Sequence, residues 1–544
     1  MMIAAVLAGA VVGPTPLPAQ AVAGVGDDAI PLPKGSYRLL ASGLWNDWDA
    51  VFGAGGATTT PLFGTLNTAA AGVAIFPRLA SAEAGLRALT GQSGFALSMG
   101  SLDASGEVRQ SIAPLGVSYG VTRRLSLRLL VPYVESRDIA ELLFNRVGST
   151  ANVGINPAFA TGTGTTARAS NGAVLSQIDL ARSTLSAELA RCAATAATGC
   201  NAIRANASSA QALLLRAAST RSAIATVYGD ATRGGAPVVP ITGGTAQTAV
   251  RATIAALRSD FATFGITSIA DGAAPAGATT VYGPGGMAQI AKDTAWKLGY
   301  ERLGNTRRAG IGDIDLTASF LLYDSFGADQ AKRLLSGARG VRSMVTGGWR
   351  FGTAGADRTD DPFDVPIGEG ANALLLRSTT DLVLSRSIWI SATVRAAKPL
   401  VDNVAVALPS STDTSPFAPF TVWPAARTLG TRMDVELAPR LAIGQFFGLS
   451  GAYLLRRWGT DSYQPAASDG NLAPGSTDVP TRTVHAAAFG ATFSTLSSYV
   501  RGRSRWPAEV IFTHTIPLRG SGALAPAAAS DRLELRVYTG FPRR

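Results

Sequence analysis

The stretch PLGVSYGVTRRLSLRLLVPYV, Pro114 to Val134, decides the fold. Successive side chains of an extended chain point to opposite faces, so a period of two reads directly as two-sidedness. Leu125, Leu127, Leu129, Val131 and Tyr133 share one face, with Ser126, Arg128 and Pro132 on the other. Upstream, Ala113, Leu115, Val117, Tyr119 and Val121 oppose Pro114, Gly116, Ser118 and Gly120, and Thr122, Arg123 and Arg124 make the turn between. The reading is an antiparallel hairpin, greasy on one side and small or polar on the other.

The same pattern recurs downstream. Ile314, Leu316, Ala318, Phe320 and Leu322 alternate with Asp313, Asp315, Thr317 and Ser319; Ile388, Ile390, Ala392 and Val394 with Ser387, Ser391, Thr393 and Arg395. Leu441, Ile443, Phe447, Leu449 and Tyr453 oppose Ala442, Gly444, Gly448 and Ser450; Leu533, Leu535, Val537 and Phe541 oppose Arg532, Glu534 and Arg536. Tyr119, Tyr133, Tyr453 and Phe541 stand near strand ends, where membrane barrels keep aromatic girdles.

Composition narrows the choice. Hydrophobic residues make up 47% and charged residues 16% of 544, with 60 glycines. Beyond the opening, apolar runs break after about ten residues, short of the roughly 20 a spanning helix needs. Strands can cross a bilayer only as a closed barrel, because every backbone polar group must be paired there. A soluble secreted β-protein, burying the apolar faces against each other, is the competing reading.

Connection lengths favour the barrel, since membrane barrels alternate short inner turns with long outer loops. A tight turn at Thr122–Arg124 is followed by a very long connection, Glu135 to Ala309, then a moderate turn, Asp324 to Gly340, and a loop from Thr353 to Gly370. Next come a tight turn at Ser385–Ser387, a long loop from Val401 to Thr428, and a tight turn at Pro439 and Arg440. A long loop from Trp458 to Pro480, the connection Leu496 to Arg505 and a loop from Arg519 to Ser530 complete the series. The expectation is an all-β fold, an antiparallel up-and-down transmembrane barrel of twelve strands starting at Tyr37–Trp45. Pairing of Phe95–Ser101 with a neighbour would make fourteen.

Between Asn171 and Phe264 the apolar period changes from two to about three and a half, so the long connection carries a helical insertion. Ile178, Leu185, Leu189 and Cys192 form one stripe; Ile203, Ala207, Ala210, Leu214 and Ala217 another; Val250, Ile254, Leu257, Phe261 and Phe264 a third. Thr161–Thr166, Gly234–Gly244 and Asp271–Gly286 read as flexible links. Parity places the insertion outside, where it caps the pore, plugs it or meets a partner. The chain thus divides into a signal peptide (1–23), N-terminal strands (24–134), the insertion (135–309) and C-terminal strands (310–544). Met1 to Ala23 is an apolar run, proline-rich towards its end and with Ala19-Gln20-Ala21 as a cleavage pattern, although it lacks a basic start.

In an exported chain Cys192 and Cys200, the only cysteines, are expected to pair across the turn of a helical hairpin; two unpaired small apolar residues are the alternative. The net charge of +11 is mostly arginine and unclustered, which argues against nucleic acid and for barrel rims or a lumen lining. His485 and His514, the only histidines, have no metal-ligand spacing and no nucleophile beside them, and no phosphate-binding loop or serine elbow occurs. No catalytic residue, metal or cofactor is implied. The lumen-facing candidates are Arg128, Asp313, Asp315, Arg395, Glu534 and Arg536. Asp313 and Asp315 suggest cation binding, pore selectivity or pairing with arginines; Asp357 to Asp364 reads as a solvated loop or an ion site.

Pro114–Val134 and GIGDIDLTASFLLY, Gly310 to Tyr323, resemble the outer-membrane transporters of aromatic-compound (phenol meta-pathway) degradation, relatives of the long-chain fatty-acid transporter barrels. In that family a strand of the form YGIT-x-x-LSL-x-x-x-VPY precedes GxGD, matched here by Gly310, Gly312 and Asp313. The resemblance covers about half the chain, and departs from the family in the Ala-rich insertion and in the ending Phe541-Pro542-Arg543-Arg544. It implies a location in the outer membrane, with outer-membrane lipid, small hydrophobic solutes and the barrel-assembly machinery as partners. The function expected is passive uptake or diffusion of small hydrophobic molecules. The alternative is a surface-exposed structural or recognition barrel whose insertion plugs the lumen or binds a partner.

Overall fold

In the computed structural model the alternating segments close into a ring of twelve antiparallel strands. These are β1 (Tyr37–Trp48), β2 (Leu102–Gly120), β3 (Leu125–Phe144), β4 (Ile314–Asp324), β5 (Gly340–Phe351), β6 (Ala373–Val383) and β7 (Ile388–Pro399). They continue as β8 (Arg432–Ile443), β9 (Phe447–Trp458), β10 (Arg482–Ser494), β11 (Ala508–Ser521) and β12 (Ala529–Thr539). Each pairs with its chain neighbour, and β1 pairs with β12 from Tyr37↔Thr539 to Asp47↔Ala529, which closes the ring. The structure describes residues 28–541 except 54–55, 195–199, 301–302, 327–338, 356–357, 360, 410–414, 419, 467–476 and 523–524. The expected signal peptide lies outside the described residues.

The faces sort as lipid requires. Leu115, Leu127, Leu129, Leu316, Phe320, Leu441, Leu449, Phe512 and Leu535 are exposed on the outer wall. Ser319, Thr346, Asp381, Ser391, Thr393, Arg395, Glu436, Thr513 and Glu534 are buried inside. A soluble sandwich would reverse this, so the chain is a transmembrane β-barrel of the outer-membrane type. Phe541 departs from the expected face. Gly540 has φ +65°, the chain turns under the barrel, and Phe541 packs with Leu32, Leu496, Val500 and Tyr538.

Several boundaries differ from the alternation. β2 and β3 run 19 and 20 residues, so the insertion begins after Phe144, not at Glu135. The outward positions of this extension carry Glu135, Arg137 and Glu141, and Glu135 pairs with the exposed Arg307, which places it beyond the lipid belt. Pairing resumes at Thr306–Ile311 on β3. Gly312 donates its amide to the Pro132 carbonyl (2.9 Å), Asp313 is drawn into the interior, and β4 continues from Ile314. Phe95–Ser101 forms no strand, so the count stays at twelve.

The insertion is a packed helical domain. α2 (Gly164–Ala194), α3 (Cys200–Ala205), α4 (Ala207–Tyr228) and α5 (Thr245–Ala262) surround a core with Ile178, Leu185, Ile224, Val250, Ile254 and Phe261 at 1% exposure or less. A helix that the alternation missed, α1 (Ala80–Thr90) in the β1–β2 loop, joins them. Gly85 permits its close approach to α4, since a Cβ there would stand 2.8 Å from Val227 Cγ2. The Gly234–Gly244 and Asp271–Gly286 stretches are not flexible links. Val238, Val239, Ala278 and Tyr282 are buried, and Asn171 accepts the Ala276 amide (2.8 Å) and donates to the Tyr228 carbonyl (2.8 Å). Internal hydrogen bonding of this kind is what allows glycine-rich backbone to be buried. Cys192 and Cys200 form a disulfide.

Candidate functional site

The interior is organised by a loop folded back into it. The described residues of 352–372 follow the outer end of β5, and Ile367 and Ala354 pack with Leu40, Ile112, Leu130 and Val134 on the inner wall of β1–β3. Asp313 holds the loop by its backbone, accepting the amides of Ala354 (3.0 Å), Glu369 (2.8 Å) and Gly370 (3.3 Å). Such bonds to a carboxylate are charge-assisted and stronger than neutral ones. The Asp138 carboxylate accepts the Val365 amide (2.8 Å), and Arg308 pairs with Asp364 (2.5 Å). From the opposite wall Arg432 pairs with Glu369 (2.8 Å), and Arg427, in the connection between β7 and β8, donates to the Glu369 carbonyl (2.8 Å).

Between this loop and the charged wall lies a cavity of about 140 Å³. Its cationic lining is Arg128, Arg350, Arg377, Arg395 and Arg432; its carboxylates are Asp315, Glu369 and Asp434. Leu130, Leu375, Ala396, Ala397 and Trp458 supply an apolar share. Arg350 grips Asp315 bidentately (2.7 and 3.0 Å), and Arg395 pairs with Glu436 (2.7 Å).

A second cavity lies towards the short-turn end, lined by Asp28, Ile30, Leu32, Arg38, Ser319, Met344 and Arg536 among others. Arg128 and Arg377 line both cavities. The chain before β1 enters this end of the barrel. Ala29 is fully buried, and its amide donates to Asp381 (2.9 Å), which also pairs with Arg342 (3.1 Å).

Of the residues singled out in the sequence, Arg128, Asp315 and Arg395 come together at the first cavity. Asp313 stands apart as the loop's backbone anchor. Glu534 forms ion pairs with Arg532 and Arg536, and of these three Arg536 lines the second cavity. Arg350, Arg377, Arg432 and Asp434 were missed, although period-two reading of GVRSMVTGGWRF, ALLLRSTTDLV and RMDVEL would have put them on inner faces. Glu369 carries no such signal, since it lies in a loop. Of the acidic loop, Asp357 and Asp360 lie outside the described residues, while Asp361 and Asp364 are buried, Asp364 against Arg308, and so are packed, not solvated. Among the described residues no group of three His, Cys, Asp or Glu side chains is arranged to hold a metal ion.

Asp138 lies in the extension beyond the lipid belt. Burial pushes its carboxyl up to about 7, helped by Asp364 and Asp361 and opposed by the Val365 amide and the Thr306 hydroxyl.

No family model matches the chain, and no curated protein does. Among solved structures it is similar to an outer membrane channel from Pseudomonas putida F1, at 10% identity and TM-score 0.39, covering 95% of this chain and 100% of that one. The Pseudomonas putida toluene transporter TodX is matched at 10% identity and TM-score 0.28, covering 98% and 96%. A Pseudomonas aeruginosa FadL homologue is matched at 7% identity and TM-score 0.27, covering 98% of each. Likeness at these scores carries no weight for function.

Proposed function

We propose that the protein is an outer-membrane channel for passive uptake of small, apolar-bodied molecules. The observation that carries this reading is the pair of interior cavities inside a closed barrel, with Arg128 and Arg377 in the lining of both. Barrels of about eight strands fill themselves with side chains, whereas a twelve-strand ring is wide enough to enclose a cavity or channel. Selectivity in this reading belongs to Arg128, Asp313, Asp315, Arg395, Glu534 and Arg536, the first three with Arg395 around the outer cavity and its loop. The loop of 352–372 is the constriction, and the helical domain is the cover through which a solute must first pass.

A cover role is favoured by one observation: the core of the helical domain is continuous with Phe363 of the inward loop and with Phe417 of the β7–β8 connection. The test is solute-driven swelling of liposomes containing purified full-length protein. Flux is expected for small neutral solutes, and is expected to rise on deletion of residues 171–264. A barrel that stays sealed in both forms overturns the channel reading and leaves recognition by the helical domain in its place.

A further inference from the structure

The lining of the outer cavity is richer in arginines than in acids, and Arg395 among them is paired with Glu436 outside it. Five arginines stand against three acids in the lining. Arg432 is the informative one. It is 8% exposed, and its Nε faces Glu369 Oε1 at 2.8 Å, while Nη1 and Nη2 are buried with no hydrogen-bond partner in the protein. A guanidinium presents its donors as a planar fork matched to the two oxygens of a carboxylate. Buried donors of a charged group left without acceptors are costly, so an acceptor from outside the chain is called for.

Two further features define that acceptor's molecule. The lining beside the arginines includes Leu130, Ala396, Ala397 and the Trp458 ring, an apolar surface that a bare inorganic anion would not use. The volume of about 140 Å³ is near the ~150 Å³ that accommodates one benzene ring in an engineered apolar cavity of another protein. We infer that this cavity binds a small organic carboxylate, an aromatic or short alkyl acid, with the Arg432 Nη1/Nη2 fork on its carboxylate and the leucine and alanine side of the wall on its apolar body. The inference rests on the channel reading and narrows its substrate class. Arg128 and Arg377, which line both cavities, are the next cationic positions on the way to the short-turn end.

The test compares benzoate with benzamide, alike in size and shape and different in charge, by isothermal titration calorimetry on the full-length detergent-solubilised protein. Saturable benzoate binding at least about tenfold tighter than benzamide is expected. Arg432→Gln should remove most of that preference, and Arg432→Lys, which keeps the charge and loses the fork, should fall between. Gel mobility with and without boiling reports whether each variant forms the barrel. If Arg432→Gln does not assemble, the wild-type benzoate-to-benzamide ratio decides alone. Equal binding of the two probes, absence of benzoate binding, or an assembled Arg432→Gln that keeps the wild-type preference overturns the carboxylate site. Liposome flux separates the two proposals: benzamide flux without benzoate preference leaves the channel standing and sinks the site. Benzoate binding without flux of either probe sinks the channel and leaves the site.

Discussion

The barrel and the helical domain are one chain folded against two solvents. In the helical domain Ile178, Leu185, Val250 and Phe261 are buried and arginines such as Arg216 and Arg258 form exposed ion pairs at the surface. In the barrel the order is inverted. Leu316, Leu441 and Leu535 are about as exposed as Arg258, while Arg342, Arg395, Glu436 and Glu534 are 0–9% exposed. Burial of apolar surface stabilises the first region, at roughly 25 cal/mol per Å². In the second the lipid takes the apolar face, and the interior must satisfy its charges among themselves.

The inversion can be broken first from the polar side. Asp381→Ala leaves Arg342 buried without its carboxylate and removes the acceptor of the Ala29 amide and the Ser391 hydroxyl. A loss of about 3–5 kcal/mol is expected, read as a lower guanidinium midpoint for the barrel. Phe261→Ala is the counterpart in the helical domain. A similar loss of about 3–5 kcal/mol is expected there, with faster proteolysis of the insertion and an unchanged boil-dependent gel shift of the barrel. A parallel loss of that shift would mean that the two regions fold as one unit.

Leu535→Arg places a charge on the outer wall in mid-strand, opposite Ala41 and Val510. A cost of about 2–4 kcal/mol is expected in lipid, seen as a reduced assembled fraction. Cys192→Ser opens a covalent link across eight residues of sequence, worth about 2–3 kcal/mol, and should lower the thermal stability of the helical domain alone. The last effect depends on pH and belongs to the junction of the two regions. Asp138 has its folded-state pKa raised to about 7 from an ordinary 3.8, so the folded form holds a proton that the unfolded form has lost between those values. Stability therefore falls as pH rises from about 4 to about 7 and levels off above, which is the reverse of an ion-paired carboxylate. The guanidinium midpoint of the wild type relative to Asp138→Asn should be higher at pH 5 than at pH 8, and an offset that does not change with pH would exclude the Asp138 proton as its source.

Strand identity, facing and closure were legible in the sequence because lipid on one side and water on the other write a period of two into every wall strand. The final strand follows it as plainly as Leu125–Val134, whereas the first strand, whose Leu40, Leu44 and Trp48 face inward, was placed by the parity of the connections. The same rule located Arg128, Asp315 and Arg395 on the inner face, and applied to three more strands it reaches Arg350, Arg377 and Arg432. The disulfide was legible for a local reason, since two cysteines eight residues apart are close along the chain.

What the sequence by itself determined is thus whatever depends on residues near each other along the chain: which segments are wall strands, which face of each meets lipid, and that helices lie between Asn171 and Phe264. The tertiary structure alone decided that residues 352–372 turn inward, that Asp313 anchors them, that Glu369 meets Arg432, and that the segment at Ala29 fills the short-turn end. These contacts join positions tens to hundreds of residues apart through loops that carry no period. Their partners are chosen by charge and space inside a barrel that exists only after the ring has closed.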